Sequence, residues 1–349
     1  MGLNLIEDYV HPTPDGHEMI AWLLWEAIER SGYFERPAEP IRTLFDEVIA
    51  QRPPLPTDLQ ATWFFNQGYM FERQGRVTEA IEKYRRAIEI TPDTQPARIN
   101  LARLLGMSGN YEEVVRILEP LIHLTPTAEL HNNMGLALRG LGRIEDALRH
   151  FENAIAVNPD FAGPHVNLAT TLLALRRSEE AIRHLDRALA IDPNLVMAHG
   201  TLGSLLAKEG QLDEAMFHYR QAIRIAPEDA ELHFQLARVL QKYGRIDKAE
   251  QHYREAVQHQ PDFAGARNNL AVLLQSRGKL DEAIAQFRQA LAVMPDMAGL
   301  HNNLGAALLE ASGFDEAIQH FHRALELTPN SVEARVNLKR AMSLKEGIE

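Results

Sequence analysis

A proline recurs along the chain at an almost constant interval, and this spacing constrains the fold more than any local motif. The steps between successive members of the series are 34, 33, 34, 34, 34, 34 and 34 residues. An internal period of this length is typical of solenoids, in which one supersecondary unit is repeated and stacked. We therefore expect most of the chain to consist of eight copies of one unit. The series comprises Pro92, Pro126, Pro159, Pro193, Pro227, Pro261, Pro295 and Pro329.

The residues inside the period indicate which kind of unit is repeated. Each unit is numbered so that its proline is position 32. Small residues then occupy positions 8, 20 and 27 in nearly every unit, and a large residue occupies position 24. Small side chains let two helices approach closely, and one bulky side chain fills the space that remains. The pattern thus predicts two tightly packed helices per unit. Units one to eight begin at Ala61, Gln95, Ala128, Ala162, Val196, Ala230, Ala264 and Ala298.

Two further positions predict where these helices end. Six units have a glycine at position 15, where glycine readily takes the left-handed conformation that ends a helix. The proline at position 32 cannot continue an α-helix, so it ends the second helix. Position 15 is Arg176 in unit four and Ser312 in unit eight. We expect a slightly different turn in those two units.

Residues 61–331 resemble the tetratricopeptide repeat family. The stretch His301–Asn330, HNNLGAALLEASGFDEAIQHFHRALELTPN, carries the small and large signature positions in order. The repeats are most similar to those of O-linked N-acetylglucosamine transferases. The resemblance implies an all-α fold: a right-handed superhelical solenoid of eight helix-turn-helix repeats plus capping helices. Residues 332–349 are predicted to form a charged C-terminal capping helix.

The first 60 residues do not follow the period, and a short stretch of them resembles a different family. Asp8-x-x-His11, with Pro12 and Gly16, resembles the last conserved block of SGNH (GDSL-type) hydrolases. In that family the block supplies the aspartate and histidine of a Ser-His-Asp triad. The serine block and the oxyanion-hole glycine and asparagine blocks are absent from this chain. Base and orienting carboxylate then have no nucleophile to activate, so Asp8 and His11 are vestigial candidates and no functional catalytic residue is expected.

This resemblance leaves two interpretations of the N-terminal segment open. Residues 1–36 are either the tail of a hydrolase domain that has been separated from its serine or a hydrolase-derived piece that now caps the solenoid. Residues 37–60, punctuated by prolines, are predicted to be a linker with a capping helix.

Composition narrows the classes of function. The formal net charge is −12 and the chain has no cysteine, which excludes disulfides and thiolate metal ligands. An acidic balance disfavours nonspecific nucleic-acid binding, which depends on basic patches. No apolar run approaches the ~20 residues of a membrane helix, and the N-terminus lacks a secretory signal pattern. We expect a cytoplasmic protein with no cofactor, metal, membrane or nucleic-acid partner.

The resemblance to the repeat family also predicts a binding surface, because positions 2, 5, 6, 9, 12 and 13 of its first helices face a concave groove. Position 6 is usually asparagine here, and an amide can both donate to and accept from the backbone of an extended peptide. The competing interpretation is that asparagine is simply common at this position. The candidate peptide-binding amides are Asn66, Asn100, Asn133, Asn167, Asn269 and Asn303.

Cations at the groove positions predict the charge of the ligand. They outnumber the groove carboxylates along units one to six, so an acidic peptide would be attracted although the chain is acidic overall. The alternative is a merely solvated face. The candidate cations are Arg73, Arg103, Arg139, Lys208, Arg238 and Lys242, against Glu72, Glu129, Glu231 and Glu310.

Histidine occurs at both position 4 and position 23 in the same five units. A metal site would need a third or fourth ligand, and no carboxylate accompanies the pair at a fixed offset. Duplication of a parent unit explains the co-occurrence better, and a pH-sensitive packing role is a further hypothesis. The pairs are His131 with His150, His165 with His184, His199 with His218, His233 with His252, and His301 with His320.

These observations favour a non-catalytic scaffold that binds a protein or an extended, acidic peptide in the concave groove. The alternative is the C-terminal part of an SGNH-type esterase or acyltransferase whose catalytic serine lies outside this chain. A weaker alternative is that the repeats recruit substrate for a glycosyltransferase.

Overall fold

The computed structural model describes residues 57–347, and all regular secondary structure within that range is α-helical. The helices in chain order are α1 (Thr57–Arg73), α2 (Val77–Ile90), α3 (Gln95–Met107), α4 (Tyr111–Leu124), α5 (Ala128–Gly140), α6 (Ile144–Val157), α7 (Ala162–Ala174), α8 (Ser178–Ile191), α9 (Val196–Glu209), α10 (Leu212–Ile225), α11 (Ala230–Lys242), α12 (Ile246–His259), α13 (Ala264–Ser276), α14 (Leu280–Val293), α15 (Ala298–Glu310), α16 (Phe314–Leu327) and α17 (Val332–Glu346).

The helices follow the 34-residue period and confirm the predicted all-α superhelical solenoid. Each odd-numbered helix from α1 to α15 pairs with the even-numbered helix that follows it, which gives the eight expected units. The first helix is longer than the others because it begins at Thr57, ahead of Ala61. Helix α17 packs on the last unit and covers it on one side. No helix in the described range is long and apolar enough to cross a membrane.

The large residue at position 24 is the centre of every unit. Its side chain lies between the two helices of the unit and is at most 2% exposed in all eight. The small residues at positions 8, 20 and 27 surround it, and the buried apolar side chains from unit to unit join one continuous core. The eight are Tyr84, Leu118, Phe151, Leu185, Tyr219, Tyr253, Phe287 and Phe321.

In units three and eight the glycine at position 8 lies directly against the ring at position 24. A Cβ atom on Gly135 would lie 2.6 Å from Cε1 of Phe151, and one on Gly305 would lie 2.7 Å from Cε1 of Phe321. Both distances are shorter than a real carbon–carbon contact, and the rings are fully buried, so they have little room to retreat. The first helix therefore sits directly on the aromatic face of the second.

The turn between the helices has the same left-handed geometry in all eight units. The six glycines at position 15 have φ between 73° and 84°. In units four and eight, where we expected a slightly different turn, the turn stays in the left-handed region but φ is somewhat smaller, at 60° for Arg176 and 63° for Ser312. The hydrogen bonds and packing of the neighbouring helices hold these two residues in a conformation that costs an L-residue roughly 1–2 kcal/mol.

The odd-numbered helices form the inner, concave wall of the solenoid. Successive odd-numbered helices contact one another across the unit boundaries, whereas such contacts between successive even-numbered helices are sparse or absent in the described range. The side of a curved stack on which neighbours lie closer is the shorter one. We call this wall the groove.

The contact between position 8 and position 24 can be tested within one helix. Gly305→Ala should lower the free energy of unfolding by about 1–3 kcal/mol, because the added methyl group overlaps Phe321. Gly299→Ala, also in α15, places its methyl in open space and should raise stability slightly, by up to about 1 kcal/mol. Chemical denaturation measures both. Equal effects of the two substitutions would contradict the assigned packing.

The strain at the non-glycine turns gives a second prediction. Ser312→Gly should increase stability by about 0.5–1 kcal/mol, because relief of the left-handed strain exceeds the extra chain entropy of glycine in the unfolded state. The reverse change, Gly278→Ser, should destabilise unit seven by a similar amount. Thermal unfolding of both variants decides the point, and a loss of stability on Ser312→Gly would refute the explanation.

Candidate functional site

One cavity in the groove opens where position 6 is not asparagine. It has a volume of about 880 Å³ and lies between α7, α9 and α11. Its floor is formed by Gly200, Thr201 and Ser204 of α9. Position 5 is glycine and position 6 is threonine in this unit, so the wall recedes there. We call this space the α9 cavity, and it was not anticipated from the sequence. The signal that could have revealed it is the loss of asparagine at position 6.

A second cavity, of about 530 Å³, adjoins the α9 cavity and extends toward α13. It brings together four of the predicted site residues: Lys208, Arg238, Lys242 and Asn269. None of the three cations forms an ion pair with a described residue, and the cavity lining contains no carboxylate. We call this space the cationic cavity. It concentrates positive potential on a chain whose net charge is −12.

A third cavity, of about 350 Å³, lies between α3 and α5 and contains Arg103, Asn133 and Arg139. The charges here are already engaged. Arg103 forms an ion pair with Glu72, and Arg139 Nη1 donates to Thr170 Oγ1 at 2.8 Å. Burial lowers the pKa of the Arg139 guanidinium. Both arginines therefore connect neighbouring units and offer less free charge than the cationic cavity does.

The asparagines at position 6, which we call the amide row, make hydrogen bonds within the protein that the sequence did not predict. The amide group of Asn167 donates to Oδ1 of Asn132 at 2.8 Å, and Asn303 donates to Asn268 at 2.9 Å. Each bond joins position 6 of one unit to position 5 of the unit before. Sequence reasoning missed the position-5 asparagines because their partners are 35 residues away.

The remaining predicted residues line none of these three cavities. Asn100 donates to the hydroxyl of Tyr84 at 3.2 Å, while Asn66 and Arg73 are exposed near the start of the described chain. Their role in the groove stays a prediction. Four of the six predicted amides thus have partners within the protein: Asn100, Asn167, Asn269, which accepts from Asn268 and donates to the Tyr253 hydroxyl, and Asn303.

Tyrosine hydroxyls lie at the base of the groove and remain protonated. Burial raises the pKa of Tyr219 and Tyr253, and burial together with the nearby Glu72 raises that of Tyr84. The Tyr253 hydroxyl donates to Gln241 Oε1 at 2.8 Å. These groups can donate hydrogen bonds but cannot act as bases near neutral pH.

The histidine pairs line none of the three cavities. Within residues 57–347 the structure contains no group of three or more histidine or carboxylate side chains that could hold a metal ion. Asp8 and His11, like the predicted segment 1–36, lie outside the described residues.

Comparison with protein-family models matches most of the chain to one kind of repeat. Three family models, each described as a tetratricopeptide repeat, match it, and the first alone covers more than half of it. The first matches residues 72–135, 138–202 and 206–264, the second 42–94 and 271–332, and the third 252–285.

The individual proteins to which the chain is similar share only a short stretch with it or have low sequence identity. The chain is 33% identical over 84 residues to the TPR repeat-containing thioredoxin TTL4 of Arabidopsis thaliana, a match that covers 24% of this chain and 12% of that protein. Among solved structures, it is similar to the APC/C hetero-tetramer Cut9-Hcn1, with a TM-score of 0.56 and 20% identity over 76% of this chain and 52% of that one. Pseudomonas aeruginosa pilF gives a TM-score of 0.54 at 18% identity, over 60% of this chain and 95% of that one. These two structures share the fold.

The hydrogen bonds of the amide row separate structural from available asparagines. Asn167→Ala should cost about 0.5–1.5 kcal/mol of stability, because the buried Oδ1 of Asn132 loses its donor. Asn133→Ala, one unit earlier at the same position, has no such partner among the described residues and should change stability by less than about 0.5 kcal/mol. Urea denaturation compares the two. A larger loss for Asn133→Ala would contradict this assignment.

Proposed function

Because the chain belongs to the tetratricopeptide repeat family, we propose that it is a non-catalytic scaffold whose groove binds an extended, acidic segment of a protein partner. The observation that carries this proposal is the cationic cavity. Lys208, Arg238 and Lys242 face it without an ion-pair partner among the described residues, and no carboxylate lines it. Unpaired charges of one sign that line a concave surface attract opposite charge more strongly than charges on an open face.

The three cations are held in different ways, which favours one bound orientation. Arg238 Nη1 donates to Gln235 Oε1 at 3.0 Å, and its guanidinium lies 5.7 Å from the centre of the Phe234 ring. Arg238 is thereby oriented before a ligand arrives. The exposed side chains of Lys208 and Lys242 are free to adapt. A fixed guanidinium can bind a carboxylate through two parallel hydrogen bonds, while the lysines neutralise further charge.

The α9 cavity supplies a place for a side chain beside the acidic group. It shares Ser204, Lys208, Tyr219 and Gln235 with the cationic cavity. Its lining carries Arg176 and Lys208 together with Asp229 and Glu231, so the charges balance and a second carboxylate of the ligand is not favoured there. The proposed ligand therefore places an acidic residue over the lysines and a neutral, large side chain in the α9 cavity.

Amides that are not fully used inside the protein can hold the ligand backbone. Asn269 and Gln241 line the cationic cavity, and Gln235 lines both cavities. Gln241 makes one internal hydrogen bond, and Asn269 and Gln235 make two each. Because a primary amide offers two donors and two acceptor lone pairs, each still has capacity for a peptide group. Backbone binding is then concentrated in units five to seven rather than spread evenly along the solenoid.

Selection from random peptides tests the charge that the groove prefers. A random peptide library displayed on phage and selected against the full chain should be enriched in Asp and Glu. The enriched peptides should lose about tenfold or more in affinity for the variant Lys208→Gln/Lys242→Gln, because two charge-assisted contacts are removed. Fluorescence polarisation at two salt concentrations measures this loss, which should shrink at high salt.

A matched variant controls for net charge. Arg183→Gln/Lys248→Gln also removes two exposed cations, but from the even-numbered helices α8 and α12 outside the groove. It should leave the affinity within about twofold. The proposal fails if selection shows no acidic enrichment, or if the two double variants weaken binding equally.

A further inference from the structure

Five units contain a pair of histidines in direct contact, and these pairs are unused by the groove. In each pair the Nδ1 atom at position 4 lies within hydrogen-bond distance of the Nδ1 atom at position 23. The first histidine is at most 9% exposed, and its partner is half-buried. The Nδ1–Nδ1 distances are 3.0 Å for His131–His150, 3.0 Å for His165–His184, 2.9 Å for His199–His218, 3.0 Å for His233–His252 and 2.9 Å for His301–His320.

A second hydrogen bond determines which nitrogen carries the proton. The Nε2 atom of His199 lies 3.2 Å from the carbonyl oxygen of Pro193, the position-32 proline of the preceding unit. A carbonyl can only accept, so Nε2 carries the proton and the neutral ring presents a lone pair at Nδ1. His218 must then donate from its own Nδ1. The same arrangement recurs at His233 with Pro227, at 3.1 Å, and at His301 with Pro295, at 2.9 Å.

Counting protons shows why such a contact is sensitive to acid. The space between the two Nδ1 atoms holds one proton. A first added proton can be accommodated on Nε2 of the position-23 ring, which leaves the Nδ1–H···Nδ1 hydrogen bond intact. A second would place two N–H groups and two positive charges about 3 Å apart, which is unfavourable in a partly buried site. The separated rings can each take a proton, so the opened pair binds at least one proton more than the closed pair in mild acid.

The surroundings of the pairs do not compensate this effect. Burial is the largest cause that lowers the pKa of eight of the ten histidines, and it lowers that of His252 to about 4. A ring whose pKa is lowered stabilises the fold fully above its unfolded value of about 6.5, and that stability is lost as the pH falls toward the folded value. The other charged or titratable groups that face the pairs are Arg143, Asp146, Arg149, Glu152, Glu180, Arg183, Asp186, Arg187, Glu214, Arg220, Arg224, Lys248, Glu255, His259, Arg288 and Glu316.

Unit seven makes the same two contacts without a titrating ring. Its position 4 is Arg267, whose Nε donates to the carbonyl oxygen of Pro261 at 2.7 Å. Its Nη1 donates to Oε1 of Gln286, at position 23, at 2.7 Å, and also to Gln289. Arginine and glutamine thus replace the histidine pair in the same geometry. The packing of a unit does not require histidine at either position.

We propose that the five histidine pairs make the solenoid a pH sensor, in which mild acid separates the paired helices of units three to six and unit eight. Units four to six carry α7, α9 and α11, which form the α9 cavity, so acid acts on the part of the chain that shapes it. The sensor depends on the pairs themselves and is independent of what the groove binds.

Hydrogen–deuterium exchange of the full chain between pH 7.5 and 5 tests the sensor unit by unit. After correction for the intrinsic pH dependence of amide exchange, the opening constant of α9 and α10 should rise up to about tenfold per pH unit for each proton taken up. The variant His199→Arg/His218→Gln copies unit seven, and Gln221 already stands where Gln289 stands there. For each pH unit of acidification, the opening constant of unit five in this variant should increase by a factor about ten times smaller than in the unmodified chain.

The opposite substitution keeps the test valid if the first variant does not fold. Arg267→His/Gln286→His installs a pair in unit seven and should make the exchange of α13 and α14 more sensitive to acid, again by about tenfold per pH unit. If removal of the pair in unit five and its introduction in unit seven both leave the pH dependence of exchange unchanged, the sensor is refuted.

Discussion

The whole solenoid depends on the contact between one large side chain and the small residues that surround it. Phe321 lies so close to Gly305 that no side chain fits between them, and the same closeness recurs at Phe151 and Gly135. The contact sets the distance between the two helices of a unit. Repeated eight times, that fixed distance places the odd-numbered helices side by side and so creates the groove. Binding surface and core are therefore products of one interaction.

The repeated residues form the groove, whereas residues that differ between units determine its local shape and charge. The amide row is mostly consumed in joining units, as between Asn167 and Asn132. The α9 cavity exists because Gly200 and Thr201 depart from the repeated pattern. A protein made of near-identical units can acquire specificity only where one unit deviates, since a uniform wall would bind a ligand equally well in several registers.

The fold could be predicted from the sequence because its period is displayed directly in one dimension. The turns of units four and eight were the exception: Arg176 and Ser312 take the left-handed conformation because neighbouring helices impose it, and no local residue preference reveals that. The site was predicted only coarsely. Arg103 was correctly placed on a groove helix, but its ion pair with Glu72 joins residues 31 positions apart, on helices whose relative placement only the structure gives.

Comparing the units also distinguishes a packing role of the histidine pairs from a role that depends on their protonation. If histidine were kept at positions 4 and 23 for its shape alone, unit seven would need it too, yet Arg267 and Gln286 satisfy the same neighbours. The histidine pair and the arginine–glutamine pair differ in whether they can take up a proton near neutral pH. The arginine stays charged and the glutamine stays neutral across the physiological range, whereas a buried imidazole pair must release or exclude protons. A solenoid that combines both kinds of unit can respond to acid in some units while others keep the stack together, because each unit depends mainly on its immediate neighbours.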